Sequence, residues 1–429
     1  MKKIIAIVFI AATLTLVSNA QETIYPAPEY KGLLFIKNAI IHTGTGQVIE
    51  NGTIKINNGK IEQVAQNIAI PADDTKVFDA KGKHVYPGLI LSSSQLGLQE
   101  IASGVRGSND YQELGDINPN VRSIVAYNTD SKIINVLRSN GILLANVVPQ
   151  GSLIDGTSSV VQLDAWNWED AIYAKDNGLH IELPNLVFNP NRQTPGDPLK
   201  EALARIDLIK QYFADAKAYT AAAKHETVNL KLEAARPLFE KKQKLFVHAD
   251  QVKQILLAID FAKDFGFDVV IVGGSESFQI ASLLKQNNIA VILSQEHALP
   301  TLDDDDVDQP YKTPAVLQQA GVLFALNDED GSTRYRNLAF NAGTAAAYGL
   351  TKEQALSAIT LNAAKILGID DRTGSIEAGK DANIVVSVGD ILDMRTSIIT
   401  DAFIQGRKLD LNDKQKQLFE RYKYKYGIK

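Results

Sequence analysis

Three consecutive serines, Ser92, Ser93 and Ser94, end one apolar run, and His248 ends another in "KLFVHAD". A hydroxyl beside an imidazole is the least equipment nucleophilic catalysis needs, because the imidazole takes the proton that would keep the oxygen inert. The Gly-x-Ser-x-Gly turn that presents such a serine is absent, which argues against that chemistry. Arg106 in "IASGVRGSNDY" offers a cation to an anionic substrate, with a salt bridge to a nearby acid as the plainer reading. The stretch "PQGSLIDGTSS" is polar and rich in glycine, but it lacks the Gly-Lys-Ser ending of a phosphate loop. Asp303 to Asp306 with Asp308 supply the oxygen ligands calcium takes, or form a solvated loop. Trp166 and Trp168 either stack a ligand or wedge a helix against a sheet. The chain has no cysteine, which removes thiolate nucleophiles, thiolate metal sites and disulfides together.

The elements that must position these residues fall into two kinds. From Leu34 to Phe78, short β-branched runs alternate with Gly-Thr-Gly, Asn-Gly and Asn-Asn-Gly turns, the pattern of a small hairpin sheet. After it come continuously apolar strands separated by helical stretches, among them "GILLANVVPQG", "LHIELPN", "KLFVHAD", "DVVIVGG", "IAVILSQ" and "GVLFALND". Such strands imply a parallel sheet covered by helices. Their spacing fits a barrel or a doubly wound sheet, and periodicity alone leaves both open. Residues 198–243 are too long for one crossover and predict two or more helices, a helical insertion. Strand-like segments return at 382–388 and 399–409 and need a partner sheet, which the N-terminal hairpins can supply.

Residues 1–20 read as a secretory signal: Lys2 and Lys3, an apolar run from Ile4 to Val17, then Ser18 and Ala20 before the cut. The run is shorter than the roughly 20 residues a bilayer span needs. The expectation is therefore export across the inner membrane, to the periplasm, with no transmembrane anchor left after cleavage. The formal net charge is −6, and −8 once the two leader lysines are gone, which argues against nucleic acid as a partner. A basic, aromatic tail over 411–429 runs against that sign. It reads as a solvated terminal helix with Leu418, Phe419 and Tyr422 packed down, or as a contact for an acidic partner or membrane surface.

Two long blocks carry a family resemblance. "IKINNGKIEQV" leading to "VFDAKGKHVYPGLI", and "ALSAITLNAAKILGIDDRTGSIEAGKDANIVV" near the other end, resemble the amidohydrolase superfamily in its imidazolonepropionase-like branch. The resemblance spans roughly residues 34 to 409. It implies an α/β fold: a TIM-like (β/α)8 barrel over 84–376 and a small composite β-sandwich from both chain ends, 34–83 plus 377–410.

In that family the first barrel strand ends Pro-Gly-Leu-Ile-Asp-x-His-x-His, and the two histidines hold a divalent metal. Here Pro87, Gly88, Leu89 and Ile90 match, but Leu91 replaces the Asp, and Ser93 and Gln95 stand where the histidines would be. Neutral oxygen ligands cannot replace two imidazoles at zinc. His248 matches the fifth-strand ligand, Gly273 and Gly274 occupy the sixth-strand region, and Asp328 in "FALNDED" matches the eighth-strand ligand and general base. Glu296 and His297 follow the seventh strand, so His248, His297 and Asp328 could form a rearranged site for at most one zinc-like divalent metal. Ser93, Gln95 and Arg106 are expected at the substrate pocket, while His42, His84, His180 and His225 read as structural or surface residues.

The resemblance implies a hydrolase of non-peptide or cyclic C–N bonds, or of small peptides, taking a small-molecule substrate. The missing clamp supports a second reading, an inactive ligand-binding protein or a partner subunit of an active homologue.

Overall fold

The β-branched runs and Asn-Gly turns fold as their pattern predicts. In the computed structural model, which describes residues 24–72, 75–100, 110–188, 196–222, 224–294, 297–300, 305–328 and 334–428, strands β1 (Leu33–His42), β2 (Val48–Asn57) and β3 (Lys60–Ala65) form an antiparallel meander. The β2–β3 turn is Asn58-Gly59, both at positive φ, the conformation a two-residue hairpin requires. Strand β4 (Lys76–Asp79) lies parallel to β1, and so does β5 (His84–Pro87).

Eight further strands form a second sheet. They are β6 (Leu89–Ser94), β7 (Ile142–Val147), β8 (Ile154–Gln162), β9 (Ile172–Glu182), β10 (Lys244–Ala249), β11 (Val269–Gly273), β12 (Ala290–Leu293) and β13 (Phe324–Leu326). They neighbour one another in chain order from β6 to β13, which makes a nearly closed barrel. One feature departs from a pure β/α repeat: β8 is antiparallel to both β7 and β9. Only residues 148–153 join β7 to β8, and a parallel crossover needs a dozen or more.

The chain then returns to the first sheet through β14 (Ile384–Ser387), β15 (Ile399–Ile404) and β16 (Arg407–Lys408). The order β16-β15-β14-β5-β1-β2-β3 makes β5 the junction of the two chain ends. The sheet rolls until β3 meets the chain before β14, with Ile61 N donating to Lys380 O at 2.8 Å. A β-rich unit built from both ends therefore encloses its own core, including Ile36, Ile54, Val85, Ile384 and Phe403.

The insertion is helical, as its composition predicts: Pro198–Ala221, then short helices Leu230–Glu233 and Arg236–Phe239. Alternation sorts the barrel side chains. Ile90, Leu144, Val160, Phe246, Val270, Ile292 and Ala325 form one inner cluster with Ala363, Ala364 and Ile366 of helix Leu361–Leu367. Their neighbours Leu89, Leu91, Leu245, Val247, Phe324 and Leu326 belong to the outer cluster shared with the covering helices. Parallel strands buried on both faces have this composition.

Candidate functional site

Two residues beyond Phe246 on the inner face of β10 stands His248, and its partner comes from β9. His180 Nδ1 lies 3.1 Å from His248 Nε2, and the His180 ring stacks on Phe246 at 4.7 Å. Gly178 makes room for that stack, since a Cβ there would sit 2.2 Å from Phe246 Cε2. Burial pushes His248 down to about 4 and His180 well below its ordinary value, so both rings are neutral at pH 7 and share one N–H. His180 is thus neither a surface residue nor a packing residue alone; it is the group that orients His248.

His248 opens on a cavity of about 440 Å³ at the C-terminal ends of the barrel strands. Its polar lining is mostly neutral: Gln95, Gln112, Gln150, Asn185, Gln254 and Ser294, with Glu182 and Asp250 as the acids. Glu182 stands directly opposite His248 in the β9–β10 register. Burial raises the Glu182 carboxyl, and Arg205 pulls it back. On β8 near the same mouth, Asp155 is buried and accepts from Ser152 N at 2.6 Å, while its second oxygen has no partner. Burial raises its carboxyl to about 8, with Glu182 adding to the rise.

The residues expected to act together are distributed over two places. Gln95 lines the cavity, and its side-chain amide donates to Gln150. Ser93 is fully buried away from the cavity lining, its backbone held by the Asn327 side chain: Ser92 N and Ser93 N donate to Asn327 Oδ1, and Asn327 Nδ2 donates to Ser93 O at 2.8 Å. Asn327 thereby bridges β6 and the end of β13, the two outer strands of the barrel sheet. Asp328, the next residue, accepts from Asn341 Nδ2 at 3.2 Å and meets Arg334 Nε at 3.6 Å. His297 is exposed and bonds Thr344 Oγ1 at 2.6 Å. Asn341 and Thr344 share helix Leu338–Ala347, so this helix gathers Asp328 and His297. Burial lowers His297, Arg334 adds to that, and Asp328 opposes it.

Among the described residues no three His, Asp or Glu side chains converge as a metal-ligand group. Each expected donor is also engaged: His248 by His180, Gln95 by Gln150, Asp328 by Asn341. Tetrahedral zinc needs three or four convergent, electron-rich donors, and this donor set does not fit it. Arg106, Glu296, Asp303, Asp304 and the 1–20 leader lie outside the described residues. Trp166 does not wedge a helix, being 63% exposed, whereas Trp168 packs on the outer core.

Comparison with known proteins places this geometry. The profile of the amidohydrolase family matches residues 272–409. The imidazolonepropionase of Thermoplasma volcanium is 25% identical over 378 residues, covering 80% of this chain and 87% of that protein. That of Shewanella frigidimarina is 26% identical over 382 residues, covering 79% and 87%. The crystal structure of an amidohydrolase from Thermotoga maritima superposes with a TM-score of 0.76 at 28% identity, covering 88% of this chain and 99% of that one.

Proposed function

From the premise that the chain belongs to the amidohydrolase superfamily as an imidazolonepropionase-like member, we propose that it is an exported protein whose barrel mouth receives a polar small molecule, and that its metal site is degenerate. The observation that carries this reading is the contrast between a preserved cavity and a dispersed ligand set. Side-chain amides present both a donor and an acceptor at each position. A lining of Gln95, Gln112, Gln150 and Asn185 suits a neutral ligand with carbonyl and N–H groups, such as a cyclic amide or small peptide.

Hydrolysis of a C–N bond is the second reading, favoured by the placement of Glu182 opposite His248 at the cavity. A carboxyl group raised by burial, beside a neutral imidazole, is suited to moving a proton to and from a bound amide.

The test uses the chain beginning at Gln21. Cyclic amides and dipeptides are screened by thermal shift and calorimetry with parallel assays of product release, and metal content is measured after dialysis. The expected result is saturable binding that Gln95→Ala and His248→Ala each weaken at least about tenfold, the loss of one to two buried hydrogen bonds. About one equivalent of zinc, manganese or iron, lost in His248→Ala, would overturn the degenerate site. Binding unchanged in both variants would move the ligand elsewhere.

A further inference from the structure

The C-terminal helix, Lys414–Tyr426, has no buried residue. Asp413 caps it, accepting from Lys416 N at 2.8 Å, and the helix packs on the flank of helix Lys132–Ser139. Of the three side chains expected to pack down, Leu418 is half-buried, but Phe419 is 63% exposed and Tyr422 51%, and Tyr426 beyond them is 66% exposed. Phe419, Tyr422 and Tyr426 stand at i, i+3 and i+7 and so share one face. Lys416 and Lys423 run along one flank of that face and Lys425 along the other, with Lys425 Nζ 5.8 Å from the Tyr422 ring and 5.2 Å from Tyr426. A helix this short is marginal in water when nothing covers it.

We propose that this helix is an interfacial anchor that lies on an anionic lipid surface. Charge complementarity selects the occupant. Within Lys414–Tyr426 five basic residues stand against Glu420 alone, in a chain whose net charge is −6. An acidic bilayer attracts that cluster and repels the rest of the molecule, which orients it. Tyrosine and phenylalanine flanked by lysine are suited to the headgroup boundary, where rings bury and ammonium groups stay wet. A second exposed aromatic pair, Tyr25 and Trp166 with ring centroids 6.0 Å apart, lines a surface pocket with Ile134 and Arg138 of the helix that the C-terminal helix touches.

The test is co-sedimentation of the chain beginning at Gln21, whose start excludes the apolar leader, with vesicles of phosphatidylcholine alone or mixed with phosphatidylglycerol. The expected result is binding to the mixed vesicles only, reduced at least about tenfold when Lys416, Lys423 and Lys425 become Gln, since each basic residue near such a surface adds to the attraction. A triple change of Phe419, Tyr422 and Tyr426 to Ala should reduce it comparably, and high salt should weaken it. The thermal midpoint should stay put in both variants, because no replaced side chain is buried. No binding to mixed vesicles overturns the proposal, as does binding that survives both variants. A dimer that dissociates in the aromatic variant, with no vesicle binding, would assign the face to a second copy and overturn it as well.

Discussion

His248 and Asp155 are both held uncharged by burial, with opposite consequences for stability. Folded His248 titrates at about 4 against an ordinary 6.5, so between those values the unfolded chain takes a proton that the folded chain refuses. Its contribution is present above pH 6.5 and is lost as pH falls toward 4. Asp155 titrates at about 8 against an ordinary 3.8. There the unfolded chain gives up a proton that the folded chain keeps, so stability declines as pH rises across that window. Asp155→Asn retains the acceptor for Ser152 N and removes the titration. It should stabilise the fold at pH 8 by a few kcal/mol relative to pH 4, on the order of 1.4 kcal/mol for each unit by which burial raises the carboxyl. Denaturant unfolding at both values checks this; an equal effect at both would mean the carboxyl is not held protonated.

At the scale of elements, the seam between β6 and β13 is closed by a side chain. Asn327 accepts from two backbone N–H groups and donates to one carbonyl, all buried. Asn327→Leu leaves those three groups unsatisfied and should cost about 2–4 kcal/mol, with faster hydrogen exchange at Ser92 and Ser93. Exchange unchanged at those amides would mean the seam is held by other contacts. The same seam marks where sequence reading stops. Continuous apolar runs and Asn-Gly turns made the barrel strands and the composite sheet legible, because burial on two faces and positive φ leave direct traces in composition. The reversed β8 left none, since a strand buried on both faces reads alike in either direction. The sequence match to a family position named Asp328 but could not show which side chain it would bond. Asn327 closes the barrel seam, and Asp328, the next residue, bonds helix Leu338–Ala347. His180 was within reach: in "GLHIELPN" it shares one strand face with Gly178 and Glu182, and it pairs with Phe246 of β10.

At the scale of the molecule, the two chain ends are tied to the barrel through one carboxylate. Asp164, just past β8, accepts from Arg138 of helix Lys132–Ser139, from Arg407 of β16 at 2.9 Å and from Ala27 N at 3.0 Å. Asp164 and Arg138 are almost fully buried. Removing one partner of such a network strands the others: Asp164→Ala leaves Arg138 buried without a counter-charge and should cost about 3–5 kcal/mol. Replacing the buried pair together, Asp164→Leu with Arg138→Met, should cost clearly less, because it removes the charges along with the bond. The single change should also loosen the molecule unevenly. Arg407 loses its carboxylate partner and keeps only neutral ones, Ala27 O and Gln162 Oε1 among them, so β15 and β16 should exchange amide hydrogens faster while β10 to β12 keep their protection. Uniform loss across both sheets would mean that the composite unit and the barrel unfold as one body and that Asp164 serves the barrel core alone.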